Sequence, residues 1–545
     1  MQRFLHAKRA WLLLLVAAVA VYFYGLGAAP LLGPDEPRYA QVAREMYARG
    51  DWVTPTLAGH TWFEKPALLY WMMMAGYKLF GVSEWSARLG PALCGLLTVF
   101  LIYWVGRRVE RGSENGTAPW GAVALASSAG LIVFARAASF DVVVTAATTL
   151  ALSCFFVAEI ETGRKRRLLL LAAFHAAVGL SLLAKGLVGV VVPFGVVGLY
   201  HLLRREWPRK DFLLSLLWGV PLAVLVAGLW YGPVIARHGW TFVDEFFVQH
   251  HFARFVSNQY RHPQGFYFYL PVMLTLALPW TAYLVAELAQ ARRWRWRDGS
   301  AEARARVFAL AWLAAPVLFF SVSQSKLPGY VLPALPGAML LAGFALARFV
   351  RGESRNAAMR ATGALLLVMA AAGVVYALRT REVTLACALG AVAPLVAAGA
   401  LAILWRERRA LRVELICSAM FISIAIVLNC AVGPVGQRES VRDLLRLADA
   451  RGYSALPVFY MLTDDRTGEF YAGGRLAYRP DGEPFRFDGA QEAAAAARER
   501  GGAALVLVPV QWTNQLTDYR AVETEIIGDN GVLTLALIRL LAQPR

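Results

Sequence analysis

The sequence predicts an all-α polytopic membrane protein with about thirteen membrane-spanning helices, followed by a small soluble α/β domain. The chain of 545 residues is 58% hydrophobic and only 17% charged, whereas soluble proteins average roughly 45–50% apolar and about 25% charged residues. Long apolar segments recur along it, basic clusters alternate with them, and the composition becomes more polar after about residue 433. These three observations place residues 1–432 in a transmembrane domain and residues 433–545 in a soluble one.

The spans follow from length, because a bilayer core about 30 Å thick needs roughly 20 apolar residues per helix. The opening segment is too long for the apolar core of a signal peptide, so we expect it to be retained. The shorter apolar segment 66–80 predicts an interfacial helix. The predicted spans are 10–27, 86–106, 118–138, 142–160, 167–184, 186–203, 212–234, 267–289, 305–323, 329–349, 359–378, 383–404 and 412–432.

Clusters of Lys and Arg in the loops predict how these spans are oriented in the membrane. They occur at every second loop when the N-terminus is counted as inside, which is the positive-inside pattern. The net charge of +18 is therefore spread by topology and forms no single basic face. This excludes a nucleic-acid partner and predicts contact with anionic lipid headgroups instead. Segments 28–85 and 235–266 and the tail are then outer segments.

The tail after residue 433 alternates helix and strand patterns. Segments 440–452 and 490–502 have amphipathic helical patterns that end in glycine, and 456–462 and 504–510 are typical of strands. No phosphate-binding loop or nucleophile motif is present, so we expect a packing or acceptor-docking role. The five cysteines all lie in apolar segments and are expected to be small core residues without disulfides.

The outer segments combine cations with carboxylates. Charges at span ends are costly, so they usually line a cavity or pair with one another. Such a set suits a lipid-linked phosphate substrate: Lys65, Arg254 and Lys326 would neutralise the phosphate, and carboxylates would serve a sugar or an acceptor. The outer candidates include Asp35, Glu36, Arg38, Tyr39, Glu64, Lys65, Asp141, Lys185, His251, Arg254, Lys326 and Tyr330.

Simpler interpretations exist for the first outer segment. Asp35 precedes a proline and is a good N-cap for a helix over 37–48, so its carboxylate could serve only that helix. Arg44 and Glu45 are expected on a solvated or interfacial face of the same helix.

Other candidates also have simpler interpretations. Asp141 could cap span 142–160, and Lys185 could extend its ammonium to the interface. Glu64 with His251 could hold a divalent metal. No metal is required, since Lys and Arg can stabilise a departing lipid phosphate.

Several motifs resemble the membrane glycosyltransferases of the GT-C fold that use polyprenyl-phosphate sugars. Within that family the pattern is most similar to the bacterial branch that transfers 4-amino-4-deoxy-L-arabinose to lipid A, which is related to protein O-mannosyltransferases. The resemblance covers about residues 10 to 350. The matching pieces are Asp35-Glu36-Pro37-Arg38-Tyr39-Ala40, Gly50-Asp51-Trp52, Phe63-Glu64-Lys65-Pro66, Lys185-Gly186, His251 with Arg254-Phe255, and Lys326-Leu327-Pro328-Gly329-Tyr330.

The resemblance implies an undecaprenyl phosphate-linked aminoarabinose donor and a lipid A phosphate acceptor. It further implies catalysis on the periplasmic face of the bacterial inner membrane, and resistance to polymyxin and cationic peptides. We expect a monomer. The resemblance implies that Asp35 and Asp141 are catalytic residues and that Lys65, Arg254 and Tyr330 lie at the donor phosphate. From the outer charges we also predict Glu36 as a catalytic residue and Lys326 and Arg38 at the donor phosphate. Tyr39, Glu64 and Lys185 are predicted to bind the acceptor or line the cavity.

Two alternatives remain open at this point. Within the enzyme class, the chain could mannosylate protein or transfer another polyprenyl-linked sugar. From another class, it could be a flippase for the lipid-linked sugar, although no internal repeat across the two halves supports a transporter. The role of Asp35 depends on the acceptor, because a hydroxyl needs a general base whereas a lipid A phosphate is already anionic.

Overall fold

The computed structural model describes residues 14–110, 116–253, 264–479 and 482–541. The chain divides into two compact units. The first comprises Met1–Leu26, Phe63–Met72 and Arg88–Val427, and the second comprises Gly27–Trp62, Met73–Ala87 and Leu428–Arg545. The second unit thus joins the end of the chain with two segments of the predicted first outer loop. The boundary between residues 432 and 433 stays a prediction.

Apolar helices build the first unit. A π-helix, Asp244–Ala253, and the 3-10 helices Phe266–Phe268, Ala291–Arg293 and Pro328–Ala334 connect them. The α-helices are Leu14–Phe23, Glu84–Val109 (which begins in the second unit), Thr117–Ala126, Ala129–Ala135, Phe140–Ile160, Arg164–Lys185, Val188–Arg204, Lys210–Val243, Tyr269–Leu276, Thr281–Leu288, Ala301–Ser321, Leu335–Arg351, Ala357–Thr380, Leu385–Leu404 and Arg409–Cys430.

Each of the thirteen predicted spans coincides with a helix or a broken helix pair. Among the described residues, nine helices are long and apolar enough to cross a membrane. Two helix pairs, bent by 56° and 120°, would raise that number to 11. Leu14–Phe23 and Val188–Arg204 are apolar but shorter. The polytopic helical architecture is confirmed, and the exact number of spans stays a prediction.

One helix continues beyond its predicted end. Lys210–Val243 passes residue 234 and bends at Gly239, whose φ of 56° and ψ of −134° are open almost only to glycine. The chain then winds into the π-helix Asp244–Ala253, a geometry that is found mostly as short bulges at functional sites. The predicted outer loop 235–266 is therefore helical in its first half.

Several arginines in or near the basic clusters have structural partners within the first unit. Glu287 is fully buried, and its carboxylate accepts from Nε of Arg306 at 3.0 Å and from Arg348. Arg412, which is 1% exposed, donates to Oδ1 of Asn356 at 2.9 Å. Contact with lipid headgroups is therefore not the whole role of these clusters, because a buried carboxylate needs a paired cation.

A five-stranded sheet forms the centre of the second unit. Its strands are β3 (Val458–Met461), β4 (Arg486–Phe487), β5 (Ala503–Pro509), β6 (Val522–Asp529) and β7 (Leu533–Leu540), and β1 (Thr56–Leu57) pairs separately with β2 (His60–Thr61). The order across the sheet is β4-β3-β5-β7-β6, with β3 parallel to β4 and β5, and with β7 antiparallel to β5 and β6.

The second unit also contains helices, of which Arg442–Ala450, Ala490–Glu499 and Asn514–Thr517 pack on this sheet, and the predicted α/β character of the tail is confirmed. Successive residues of β5 point to opposite faces, so Val506 and Val508 enter one apolar cluster while Leu505 and Leu507 enter the other. The hairpin of β6 and β7 was not predicted. The helices are Asp35–Arg49, Leu68–Phe80 (which begins in the first unit), Val432–Arg438, Arg442–Ala450, Gly468–Tyr471, Ala490–Glu499 and Asn514–Thr517, with the 3-10 helix Val510–Trp512.

The cysteines fall into two classes. Cys94, Cys154 and Cys417 are free and buried, as expected. Cys387 and Cys430 are disulfide-bonded, so the prediction of five core cysteines without disulfides is wrong for these two. Both lie at ends of apolar helices, and the position of a cysteine in an apolar segment does not by itself reveal a disulfide.

Candidate active site

Asp35 is the first residue of the helix Asp35–Arg49. Pro34 occupies the N-cap position, and no side chain caps the helix. The interpretation of Asp35 as an N-cap is therefore wrong, although its charge still suits the positive end of the helix. Its side chain is exposed. Within the described part of the chain, its carboxylate has neither a hydrogen bond nor an ion pair.

Glu36, the other half of the acidic pair, has a structural contact. Its Oε2 accepts a hydrogen bond from the backbone N–H of Leu32 at 3.0 Å, which closes the turn before the helix. Tyr39, one turn further on, is buried at 5% exposure. The two neighbouring carboxylates thus differ: Glu36 fixes backbone, and Asp35 remains available to a ligand.

Arg38 lies among protein partners in the second unit. Its Nε is 3.6 Å from Oε2 of Glu469, and its guanidinium is 5.0 Å from the centre of the Trp62 ring. The side chain of Glu469 is fully buried. The structure therefore gives Arg38 a carboxylate and an aromatic ring as neighbours, and its predicted donor-phosphate role stays a prediction.

Glu45 organises the hairpin of β1 and β2. Its carboxylate accepts from Oγ1 of Thr56 at 2.6 Å and from the N–H of Ala58 at 2.8 Å. The expectation of a solvated face is wrong for Glu45, because these groups and the helix enclose it. Asp51 accepts from the N–H of Val53 at 2.9 Å, so the Gly-Asp-Trp motif is a helix end followed by an Asx turn.

In the first unit, Lys185 brings three predicted residues together. Its ammonium forms an ion pair with Oδ1 of Asp141 and lies 4.4 Å from the centre of the Tyr330 ring. Asp141 is in the first turn of Phe140–Ile160, and Lys185 is the last residue of Arg164–Lys185. Each charge therefore lies at the helix end whose dipole favours it.

The simpler interpretations of Asp141 and Lys185 are wrong. The cap of helix Phe140–Ile160 is Ser139, whose hydroxyl accepts from the N–H of Asp141 at 3.1 Å. The side chain of Lys185 is only 14% exposed and binds Asp141, so it does not extend its ammonium to the interface.

Gly329 makes room for this cluster. A Cβ at that position would collide with Oδ2 of Asp141 and would lie 2.8 Å from Cε1 of Phe134. The residue before Tyr330 must therefore lack a side chain for the carboxylate to reach Lys185. Gly329 is part of the Lys326–Tyr330 motif in the sequence, but the sequence does not show why a glycine is needed at that position.

We expect Gly329→Ala to lower activity by about tenfold, because an added methyl in a packed site costs about 1–3 kcal/mol and displaces Asp141. Gly195→Ala is the matched control, since nothing lies within 4 Å of a Cβ there. Initial rates of the two variants with unchanged folding measure the effect. Full activity of Gly329→Ala would show that the position of Asp141 does not matter.

Glu64 and Lys65 form a second pair in the first unit. The ammonium of Lys65 is 2.7 Å from Oε1 of Glu64, and both side chains are largely buried. Tyr70, which follows on the same segment, packs edge-on against Phe140 at 5.4 Å between ring centres. The pair is thereby tied to the helix that carries Asp141.

Lys326 has a different environment. Its side chain is buried, and its ammonium donates to the carbonyl oxygens of Gln264, at 3.0 Å, and Ser323. The hydroxyl of Tyr269 donates to the carbonyl of the next residue, Leu327, at 3.2 Å. These bonds hold the chain between two helices, so the geometry favours a structural role for Lys326.

Nothing can be said of two predicted side chains. Arg254 lies in the segment that is not described, and so does the side chain of His251, which leaves the predicted metal pair with Glu64 untested. Among the described residues, no group of three His, Cys, Asp or Glu side chains could hold a metal ion.

The fold is shared with solved membrane proteins. The structure of ArnT from Cupriavidus metallidurans bound to undecaprenyl phosphate matches with a TM-score of 0.78 at 24% identity, over 96% of this chain and 97% of that one. The Archaeoglobus fulgidus oligosaccharyltransferase in its apo form matches with a TM-score of 0.52 at 12% identity, over 93% of this chain and 70% of that one. These likenesses define the class: a polytopic membrane protein of the GT-C fold.

The sequence identifies the family. Residues 9–291 match the model of dolichyl-phosphate-mannose-protein mannosyltransferase. The chain belongs to this family. An undecaprenyl phosphate-alpha-4-amino-4-deoxy-L-arabinose arabinosyl transferase of Pseudomonas paraeruginosa is 34% identical over 369 residues, and that of Edwardsiella ictaluri is 31% identical over 368. Each alignment covers 67% of this chain and 64% of the relative, so less than two thirds of these relatives is matched.

Proposed function

We propose that this protein is a membrane glycosyltransferase that moves 4-amino-4-deoxy-L-arabinose from undecaprenyl phosphate to a phosphate of lipid A. The relatives at 31–34% identity carry that sugar and that lipid carrier in their names. The reaction takes place on the periplasmic face of the bacterial inner membrane, and its product confers resistance to polymyxin and cationic peptides.

The observation that carries the proposal is the exposed carboxylate of Asp35. It begins a helix shortly after the first apolar helix, Leu14–Phe23, where the headgroup of a lipid carrier would lie. The carboxylates of Glu36, Glu64 and Asp141 all have protein partners in the described residues. A single unpartnered acid in a segment with this family's motif is suited to a substrate.

The transfer forms a bond from an acceptor oxygen to the anomeric carbon and breaks the bond from that carbon to the phosphate of the carrier. Undecaprenyl phosphate leaves as an anion. Lys65 and Lys185 are suited to stabilise the negative charge of the leaving group, because a phosphate can join an ammonium–carboxylate pair as a third partner. No step requires a metal.

Asp35 has one of three roles, and the acceptor limits the choice. A phosphate acceptor is already ionised, so Asp35 would orient it or bind the cationic amine of the sugar. With a hydroxyl acceptor, Asp35 would be a general base. A donor that carries a hydroxyl in place of the amine separates amine binding from the other two roles, since only amine binding would make transfer sensitive to that change.

Mass spectrometry of lipid A tests the proposed function. Cells that express the chain in a strain lacking its own transferase should contain lipid A with an added aminopentose. The same cells with Asp35→Asn should not. Purified protein with undecaprenyl phosphate-linked aminoarabinose and lipid A should reproduce the transfer. Unmodified lipid A in both experiments would contradict the proposal.

A second candidate is transfer of mannose to protein, which the description of the family model supports. The same purified protein would then consume a polyprenyl phosphate-linked mannose and label a protein acceptor. A flippase would move either lipid without cleaving it. Release of free undecaprenyl phosphate therefore distinguishes both transferases from the flippase.

Substitutions of Lys65 and Lys326 should have different effects. Lys65→Ala should weaken donor use about ten- to a hundredfold with folding retained, because one charge-assisted hydrogen bond to the phosphate is lost, typically about 1.5–3 kcal/mol. Lys326→Ala should instead lower the melting temperature, because two carbonyls lose their donor. Donor KM and thermal unfolding of both variants measure this. Equal donor KM values with equal stability would contradict the distinction.

The orientation has its own test. Gln491 of the tail is exposed, and Gln491→Cys should react with a membrane-impermeant maleimide in intact spheroplasts. The control is Lys165→Cys, which is equally exposed but lies in a predicted inner loop and should react only after lysis. The disulfide bonds of Cys387 and Cys430 support this orientation, since they require an oxidising compartment. The reverse labelling pattern would place the tail inside.

A further inference from the structure

The short helix Gly468–Tyr471 contacts the Asp35 segment through three successive side chains of the second unit. Glu469 forms the ion pair with Arg38 at 3.6 Å. The ring of Phe470 lies 4.8 Å from the guanidinium of Arg44, which is a cation–π distance. We name Glu469, Phe470 and Tyr471 the tail clamp.

Tyr471 contacts the chain on the other side of Asp35. Its hydroxyl accepts from the backbone N–H of Leu31 at 2.7 Å and donates to Oε1 of Glu84 at 3.1 Å. Arg442 of the tail also donates to Glu84, at 3.3 Å. The clamp therefore contacts the chain before Asp35 at Leu31. It also contacts the helix that begins with Asp35 at Arg38 and Arg44, about 1.7 turns apart.

The clamp is itself held in place. Arg466 donates to Oε1 of Glu469 at 2.8 Å, and Gly468 has no space for a side chain because a Cβ would collide with the hydroxyl of Tyr460. That hydroxyl donates to the carbonyl of Asp465. A rigid support of this kind is what a catalytic group needs, because geometry must hold to within about an ångström.

The burial of the ion pair between Glu469 and Arg38 bears on the role of that pair. The side chain of Glu469 is fully buried and that of Arg38 is 14% exposed. Apolar residues of similar size would hold two elements together at least as well, so a buried pair is weak evidence for stability alone. At 3.6 Å the contact is an ion pair and not a hydrogen bond, so Glu469 acts on Arg38 through its charge.

We propose that Glu469 is a positioning residue, which acts through Arg38 to fix Asp35 for the transfer step, and that this is a role of the C-terminal tail. The inference rests on the proposed function. Glu469 does not touch the substrate. Its loss should therefore reduce the rate of the chemical step while the donor still binds.

The test compares Glu469→Gln, Arg38→Gln and the double variant with the unchanged protein. Each single variant should lower kcat by at least about tenfold, because a small displacement of a catalytic group has a large effect on rate, with donor KM nearly unchanged. The melting temperature should fall, since each substitution takes a partner away from a buried charge, so kcat is compared at a temperature where all variants remain folded. The double variant should be no slower than the slower single one, because both substitutions break the same contact. Glu469→Asp should recover part of the rate.

A control in the same domain is Glu525→Gln, whose side chain is 37% exposed. Glu525 also joins arginines of the tail, Arg451 and Arg539 at 3.5 Å each, but it has no contact with the Asp35 helix among the described residues. Its kcat should equal that of the unchanged protein. If Glu525→Gln slowed transfer as much as Glu469→Gln, general loosening of the tail would explain both and the proposal would be wrong.

Failure of this proposal can be separated from failure of the proposed function. If the unchanged protein transfers the sugar and Glu469→Gln does so at the same kcat, the positioning role is overturned and the transferase remains. If the effects of Glu469→Gln and Arg38→Gln multiply in the double variant, the two residues act independently, which also overturns it. Absence of transfer by the unchanged protein instead rejects the proposed function.

Discussion

Asp35→Asn should abolish sugar transfer while leaving the protein folded. The side chain is exposed and has no partner among the described residues, and Pro34 rather than Asp35 holds the N-cap position. Asparagine has the same shape, so neither packing nor the helix start should change. What disappears is the negative charge that would orient the acceptor, bind the amine of the sugar or accept a proton.

The measurement is transfer to the acceptor beside the melting temperature in detergent. Glu36→Gln is the contrasting variant, because an amide oxygen can still accept from the N–H of Leu32 and close the turn. We expect it to keep most of its activity, although the sequence motif predicts both acids as catalytic. An active Asp35→Asn enzyme would reduce the acidic pair to scaffold and remove the main support for the proposed mechanism.

Lys185→Met should have the next largest effect. It leaves Asp141 without its cation and removes the ammonium beside the ring of Tyr330. Loss of one partner from a largely buried pair costs about 3–5 kcal/mol, most of it because the other charge remains unpaired. The melting temperature should therefore fall. Because the ammonium is also lost as a partner for the leaving phosphate, we expect transfer by the remaining folded protein to fall at least about a hundredfold. Lys165→Met, which removes an exposed lysine, is the control and should be silent.

The variant Asp141→Asn, and the double variant that combines it with Lys185→Met, show why Lys185→Met loses transfer. Asparagine can still accept a hydrogen bond from Lys185, so a purely tethering role would leave Asp141→Asn nearly active. A required negative charge would make it as slow as Lys185→Met. If the pair acts as a unit, the double variant should be no worse than either single one. Multiplied effects would show that the two residues serve separate steps.

The sequence predicted candidate site residues best where their function depends on the chemical type of the side chain. The cation and carboxylate candidates at the outer span ends were correctly grouped in part: Asp141, Lys185 and Tyr330 do meet in the structure. Other candidates have protein partners that their residue types did not reveal, and the donor-phosphate role of Lys326 stays a prediction. Glu45 holds a hairpin, and Lys326 donates to two carbonyls.

The sequence by itself determined the membrane-protein class, the positions of the apolar helices and the α/β tail, because length, hydropathy and periodicity are local properties. The tertiary structure decided which charges are neutralised within the protein. Glu469 carries no motif, and only folding brings it to Arg38, 431 residues earlier in the chain. The same applies to Gly329, whose missing side chain matters only because Asp141 lies against it. Both depend on contacts between segments far apart in the sequence, and no local pattern encodes such a contact.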